Sequence, residues 1–166
     1  MALANTLLPE FDHEMAVTRR VLERAPEAAF SWRPHAKSWT LGGISTHIAQ
    51  IPHWGVAILA RDGYDLVRDA GERTAEKTRV ADVLATFDGF VTEARARLSG
   101  ATDAELLAPW SLSRDGETMM SMPRISAFKS FAINHLIHHR GQLSVYLRLQ
   151  NVPLPPIYGP TADEGA

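Results

Sequence analysis

The sequence predicts an all-α protein, a four-helix bundle formed by a single domain over residues 1–166. With 166 residues, of which 45% are hydrophobic, the chain is long enough to bury one sizeable core. Four stretches repeat apolar residues at the 3.6-residue helical period, so each presents one apolar face. Helices of this kind bury their faces against one another, which is the packing of a four-helix bundle.

The first two helices are predicted in the first 60 residues. Apolar residues keep the helical period over residues 5–25, and the run ends at Pro26. The second helix is predicted over residues 41–60, where Thr40 is a suitable N-terminal cap. Pro52 removes a backbone hydrogen bond inside that helix, so we expect a kink about one turn beyond His47.

The last two helices are separated by an irregular region. The helical period returns over residues 80–98 and stops at Gly100, which defines the third helix. The pair Asp115-Gly116, lying between two short runs, favours a small β-hairpin between helices three and four. The fourth and longest helix is predicted over residues 123–150, and the proline-rich tail after it cannot be helical.

Charge and composition narrow the range of partners. The 17 basic and 19 acidic residues give a net charge of -2, so no surface for nucleic acid or an anionic membrane is expected. The chain lacks a basic start followed by a long apolar run, and no stretch reaches the roughly 18 apolar residues of a membrane span. Because there is no cysteine, His, Asp or Glu would have to hold any metal ion. We therefore predict a cytoplasmic protein without nucleic-acid or membrane partners.

The fourth helix carries a histidine pair with the spacing of metal ligands. His135 and His139 are four residues apart, so they lie only about 40° apart on the helix surface. They follow the apolar stripe of that helix, and burying neutral imidazoles is unfavourable unless each finds a hydrogen bond or a cation. His47, on the inward stripe of helix two, can supply a third nitrogen about 2.1 Å from the same ion. The sequence predicts a mononuclear metal site here, with hydrogen-bonded core histidines as the alternative.

The neighbours of these histidines limit the chemistry. Leu136 follows His135 where a zinc protease needs Glu, and helix four has none of the carboxylates of a di-iron bundle. Zinc or nickel is favoured as the ion, and manganese and iron stay open. Glu14, near the inward stripe of helix one, and His138 are the candidates for catalytic proton transfer. Their alternatives are a solvated helix face for Glu14 and a stripe-edge position for His138.

Further side chains are assigned from their positions on the helices. The mouth of the site near Trp54, Gln142 and Tyr146 is predicted to receive a substrate. Gln142 shares the face of the ligands and can instead satisfy a ligand N–H. His53 lies about 240° around helix two from the predicted ligand, so we expect it to face elsewhere. Arg140 is expected on the surface or at an interface.

Three segments of the chain resemble the DinB/YfiT-like family. The resemblance lies in Ser38-Trp39-Thr40 before Ile44-Ser45-Thr46-His47-Ile48, in the run from Asn134 to Gln142, and in Val152-Pro153-Leu154-Pro155-Pro156-Ile157-Tyr158-Gly159. It implies an up-down-down-up four-helix bundle, commonly dimeric, that holds one divalent metal ion through three histidines. By motif these fall on His47, His135 and His139, and residues 64–77 become the long crossing that this topology requires.

The resemblance also suggests a reaction. Family members include metal-dependent transferases that activate a low-molecular-weight thiol such as bacillithiol or mycothiol. We therefore predict a divalent-metal-dependent enzyme, a thiol-dependent S-transferase that acts on a small electrophile and forms a homodimer. Two alternatives stay open: a metal-dependent hydrolase of a small ester or amide, and a non-enzymatic stress protein that binds a metal or a ligand.

Overall fold

The computed structural model describes residues 2–72 and 75–164, and helices make up most of this part of the chain. The α-helices are α1 (Leu3–Leu22), α2 (Leu41–Gln50), α3 (Pro52–Ala60), α4 (Val80–Gly100), α5 (Asp103–Leu107), α6 (Arg124–Phe128) and α7 (His135–Leu149). Helix α4 packs against α1, α2 and α3, and α7 packs against α1 and α2. The core between them is rich in aromatic side chains, with Phe11 and Phe128 in ring contact at 5.7 Å between centroids.

The prediction of an all-α four-helix bundle is wrong, because the chain also forms a three-stranded mixed sheet. The strands are β1 (Gly63–Asp65), β2 (Pro109–Arg114) and β3 (Glu117–Pro123). Strands β2 and β3 form the hairpin, whose turn holds Asp115 and Gly116 at φ 52 and φ 82, as a two-residue turn of this sequence prefers. Strand β1 pairs with β2 in parallel and turns the hairpin into a sheet.

Asp65 joins β1 to the hairpin through its buried carboxylate. The carboxylate accepts hydrogen bonds from the backbone N–H groups of Val67, Arg68, Asp115 and Gly116, at 2.8 to 3.1 Å. Because the bonds from Gly116, Arg68 and Val67 favour the charged form, they hold the pKa of Asp65 well below its usual value of 3.8. One ionised side chain therefore ties the loop after β1 to the turn between β2 and β3.

An Asp65→Asn variant is expected to melt at a temperature lower by roughly 5 °C at neutral pH. The amide cannot offer two oxygens to the surrounding N–H groups. Because the folded-state pKa of Asp65 is depressed, its contribution to stability is complete above the usual value of 3.8 and is lost as pH falls through the folded pKa. Thermal unfolding followed by circular dichroism should therefore show the difference from wild type shrinking below about pH 4. Asp115→Asn is the matched control, and equal melting of Asp65→Asn and wild type at pH 7 would contradict this role.

The predicted second helix is divided at Ile51 into α2 and α3. Pro52 stands in the first turn of α3, and Ile51 donates its N–H to the carbonyl of Ile48 at 3.2 Å, a bond to the third residue back. Such a bond tightens the turn, so side chains after Pro52 no longer follow the angular spacing of α2. The predicted kink is therefore a helix boundary.

The predicted fourth helix also contains an irregular turn. Residues 129–134 form a π-helical turn between α6 and α7, and the backbone stays helical on both sides. Turns of this kind occur often at functional sites, and this one immediately precedes His135. Within residues 2–72 and 75–164, no helix is both long and apolar enough to cross a membrane.

Candidate metal centre

Three histidine side chains converge where α2 meets α7. His47 extends from α2, and His135 and His139 extend from α7. The Nε2 atom of His135 lies 3.3 Å from Nε2 of His47 and 3.0 Å from Nε2 of His139. Ligand nitrogens about 2.1 Å from one ion lie roughly 3.0–3.4 Å from each other in tetrahedral or facial octahedral arrangements. The spacing of the three nitrogens is therefore compatible with a single metal ion.

Two of these rings are in the protonation state that binds a metal ion. Burial, the largest effect, together with the neighbouring His139, lowers the pKa of His135 to about 4, and burial also lowers the pKa of His139. Both rings are therefore neutral at pH 7, which is the form that binds metals. Among the described residues, Nδ1 of His135 is buried and has no hydrogen-bond partner. The backbone of Phe131 acts in the opposite direction to burial, because it raises the pKa of this ring.

Gln142 orients one of the three rings. Nδ1–H of His139 donates to the side-chain oxygen of Gln142 at 2.7 Å, which leaves the lone pair of Nε2 directed at the other two histidines. The amide nitrogen of Gln142 donates to Nε2 of His138 at 3.1 Å. This contact is the one that the alternative role for Gln142, satisfying a ligand N–H, requires, and its role as a substrate contact stays a prediction. His138 is exposed beside it.

The ring of Trp39 covers the cluster. It lies 4.6 Å from the ring of His47 and 5.3 Å from that of His139, between centroids. The hydroxyl of Tyr146 donates to the backbone carbonyl of Trp39 at 3.3 Å. The ring of Tyr146 also packs edge-on against Trp32. Tyr146, a predicted substrate contact, therefore holds the loop that carries Trp39.

A cavity of about 280 Å³ opens beside the histidine cluster and includes His47 and His135 in its lining. The rest of its wall is largely aromatic. Four rings contribute, those of Trp39, Trp54, Tyr64 and Phe90. Trp54, the remaining predicted substrate contact, lies in this wall, so a small molecule in the cavity would touch both the apolar wall and the histidine cluster.

His53 also lines the cavity, so the prediction that it faces elsewhere is wrong. That prediction extrapolated one unbroken helix from His47, whereas the helix restarts at Pro52. Nε2 of His53 lies 2.8 Å from a carboxylate oxygen of Glu72, which also lines the cavity. Pro52 itself was the available signal, because a helix boundary there makes any angle counted across it unreliable.

Arg140 is buried, so the prediction that it lies on the surface or at an interface is wrong. Its guanidinium pairs with the buried carboxylate of Glu14 at 2.7 Å and donates to the hydroxyl of Tyr158 at 2.8 Å. That hydroxyl donates in turn to the Glu14 carboxylate at 2.9 Å. The carboxylate predicted as a candidate for proton transfer is therefore held in an ion pair that joins α1, α7 and the tail.

These features define a mostly helical protein with a candidate mononuclear metal centre at the edge of an apolar cavity. The family model described as the DinB family matches residues 1–166, so the chain belongs to the DinB family. The resemblance seen in the sequence is thereby confirmed.

Individual relatives support the same assignment. The chain is 27% identical over 163 residues to the uncharacterized protein YrdA of Bacillus subtilis, a match that covers 96% of this chain and 90% of YrdA. A crystal structure of a DinB-like protein from Bacillus cereus superposes with a TM-score of 0.72 at 21% identity, covering 95% of this chain and 98% of that one. The DinB-like protein YjoA from Bacillus subtilis superposes with a TM-score of 0.72 at 19% identity, covering 92% and 96%. At these identities the two structures show a shared fold alone.

Proposed function

We propose that this protein is a divalent-metal-dependent enzyme whose ion is held by His47, His135 and His139. The convergence of three Nε2 atoms, at 3.0 and 3.3 Å, beside an apolar cavity carries the proposal. Three nitrogen ligands leave coordination positions for a reactant, as catalytic sites do. Zinc or nickel is the favoured ion, because imidazole suits both, and manganese or iron is the alternative.

The reaction we propose is transfer of a low-molecular-weight thiol to a small electrophile. When bound, the cation would lower the pKa of such a thiol and favour its thiolate. The chain has no cysteine, so the sulfur has to come from a separate molecule. The aromatic wall around Trp54 would bind the electrophile and exclude water, and Trp39 would shield the histidine rings from solvent.

The side chains assigned to proton transfer support thiol transfer over hydrolysis. In the hydrolase alternative, Glu14 or His138 assists proton transfer during attack by water. The Glu14 carboxylate is engaged by Arg140 and Tyr158, and His138 is exposed and accepts a hydrogen bond from Gln142. A thiol has an ordinary pKa of about 8.5, far below the roughly 15.7 of water, so beside a cation it loses its proton to buffer with less need of a base, and these arrangements fit thiol transfer better.

Turnover that depends on an added thiol is the expected result for the metal-loaded protein. With 2-mercaptoethanol and 1-chloro-2,4-dinitrobenzene, a carbon–sulfur bond replaces the carbon–chlorine bond, chloride leaves and the thiol proton passes to buffer. We expect a rate roughly 100-fold above that of a His139→Ala variant, measured as thioether absorbance. Hydrolysis of p-nitrophenyl acetate without thiol would favour the hydrolase instead. Inactivity in both assays across a panel of thiols and electrophiles would favour a non-enzymatic metal- or ligand-binding stress protein.

Three further features stay predictions that accompany this proposal. They are a homodimeric assembly, a cytoplasmic location and a role in stress. The first comes from the family resemblance, the second from the composition and the third from the non-enzymatic alternative. None of them is needed for the metal centre, because all three histidines belong to one chain.

A further inference from the structure

A second opening reaches the histidine cluster beside the aromatic cavity. It is a groove of about 190 Å³, lined by Trp39, Gly43, Thr46, His47, Gln50 and Glu76. Trp39, His47 and Gln50 also line the aromatic cavity, so the two openings meet at the histidine cluster. A reaction that joins two molecules needs a place for each of them beside one centre. The two openings can supply those places.

The two openings differ in polarity. Four aromatic rings contribute to the wall of the cavity, whereas Trp39 is the one Trp, Tyr or Phe among the described residues that line the groove. The groove also carries a hydroxyl, an amide and a carboxylate, those of Thr46, Gln50 and Glu76. An apolar electrophile therefore suits the cavity, and a polar partner suits the groove.

The carboxylate of Glu76 is fixed at the start of α2. Its Oε1 accepts a hydrogen bond from the hydroxyl of Thr40 at 2.6 Å, and that hydroxyl accepts one from the backbone N–H of Gly43 at 2.9 Å. Two glycines allow this close approach, because a Cβ atom at Gly42 would lie 3.0 Å from Oε1 and one at Gly43 would lie 3.4 Å from Oε2. The position of the carboxylate is therefore set by the fold.

The other oxygen of Glu76 is open to a ligand. Within residues 2–72 and 75–164, no group donates a hydrogen bond to Oε2, and Glu76 forms no ion pair. Its side chain is exposed, and no lysine or arginine of the described chain lines the groove. An exposed carboxylate is ionised at pH 7. The group that complements it is an ammonium, which offers both a positive charge and N–H donors.

The spacing along α2 sets the size of such a ligand. Gly43, beside the carboxylate, and His47 are four residues apart, which is about 6 Å along the helix axis. A chain of two carbons between sulfur and nitrogen spans a distance of that order. An aminothiol of this length would place its sulfur at the histidine cluster and its ammonium at Glu76.

We infer that the groove binds the thiol of the proposed reaction, and that this thiol carries an ammonium group which pairs with Glu76. The inference rests on the proposed function, because it names the class of thiol that would react at the histidine cluster. It makes Glu76 a residue that selects and orients the thiol, while the electrophile lies in the aromatic cavity.

Two thiols of equal length test the inference. Cysteamine carries an ammonium group where 2-mercaptoethanol carries a hydroxyl. The ratio of their kcat/KM values with 1-chloro-2,4-dinitrobenzene, measured as chloride release, is divided by the ratio of their uncatalysed rate constants, which removes the difference in intrinsic reactivity. We expect the wild-type protein to favour cysteamine roughly 3- to 5-fold after this correction, the value of one exposed ion pair. The absence of any corrected preference would overturn the inference.

A variant isolates the contact with Glu76. Glu76→Gln keeps an oxygen that can accept from Thr40 but removes the charge, so the corrected preference for cysteamine should disappear. Glu117→Gln, which removes the same charge from the exposed hairpin, should keep the preference. A preference that survives in a folded Glu76→Gln protein would mean that the amine binds elsewhere, and would overturn the inference. If that variant does not fold, a salt titration of wild-type protein replaces it, because pairing with an exposed carboxylate weakens as ionic strength rises. A preference that is independent of salt would then overturn the inference.

Binding measurements separate this inference from the proposed function. Dissociation constants of cysteamine and 2-mercaptoethanol from ligand-observed NMR need no turnover. Cysteamine that binds wild-type protein more tightly than Glu76→Gln protein, while 2-mercaptoethanol binds both alike, supports the groove even if no thiol reacts, a result that would refute the proposed function alone. Conversely, turnover of both thiols without a preference in rate or in binding would overturn the inference and leave the proposed function standing.

Discussion

A His135→Ala variant is expected to lose its divalent metal ion, with an affinity at least about 100-fold below that of wild type. Nε2 of His135 lies 3.3 Å from Nε2 of His47 and 3.0 Å from Nε2 of His139. Its loss therefore removes the nitrogen that lies close to both of the others. Metal analysis by inductively coupled plasma mass spectrometry should give about one ion per wild-type chain and almost none for the variant. Equal metal content would refute the ligand assignment.

Two controls belong to this experiment. His35→Ala removes an exposed histidine that is not part of the cluster and should leave the metal content unchanged. Chelation should lower the melting temperature of the wild-type protein by roughly 5–10 °C. This corresponds to losing the stabilisation of about 2.7 kcal/mol that a bound ion gives at a concentration 100 times its dissociation constant. The same treatment should leave His135→Ala unaffected.

An Arg140→Met variant is expected to be destabilised by about 3–5 kcal/mol, the largest stability effect that we predict. The guanidinium is 1% exposed and pairs with Glu14 at 2.7 Å, so methionine would leave a buried carboxylate without its cation. Chemical denaturation at pH 7 should show the transition at a lower denaturant concentration with an unchanged slope.

A second variant on the same helix serves as the control. Arg148→Met removes an arginine that is 46% exposed in its ion pair with Asp163, so it should cost at most about 1 kcal/mol. Adding Glu14→Gln to Arg140→Met should restore part of the loss, because the unpaired charge is then gone. Equal stabilities of Arg140→Met and Arg148→Met would contradict the structural role of Arg140.

The convergence of the three histidines could be predicted because its signal is local. His135 and His139 are one turn apart on a single helix, and a regular helix brings both to the same side wherever it packs. His47 lies in an apolar stripe that has to face the core. The convergence of the three nitrogens needed only that α2 and α7 be neighbours, which they are.

The features that sequence reasoning missed depend on distant partners or on broken periodicity. Strand β1 has three residues, too few for an alternating pattern, and exists because β2 lies beside it. Arg140 carries a charge that is usually exposed, and only α1, more than a hundred residues earlier, supplies the carboxylate that makes its burial favourable. His53 was misplaced because the helix restarts at Pro52.

The pairing of Arg140 with Glu14 has a consequence for the candidate metal centre. Arg140 follows His139 directly, so the turn of α7 that carries His139 is anchored to α1 on its other side. Gln142 fixes the ring of His139, and Tyr158 completes the anchor from the tail. The turn that carries His139 is thus held in place by the folding of the core, so a cation that binds there would lose little of its affinity to ordering the chain.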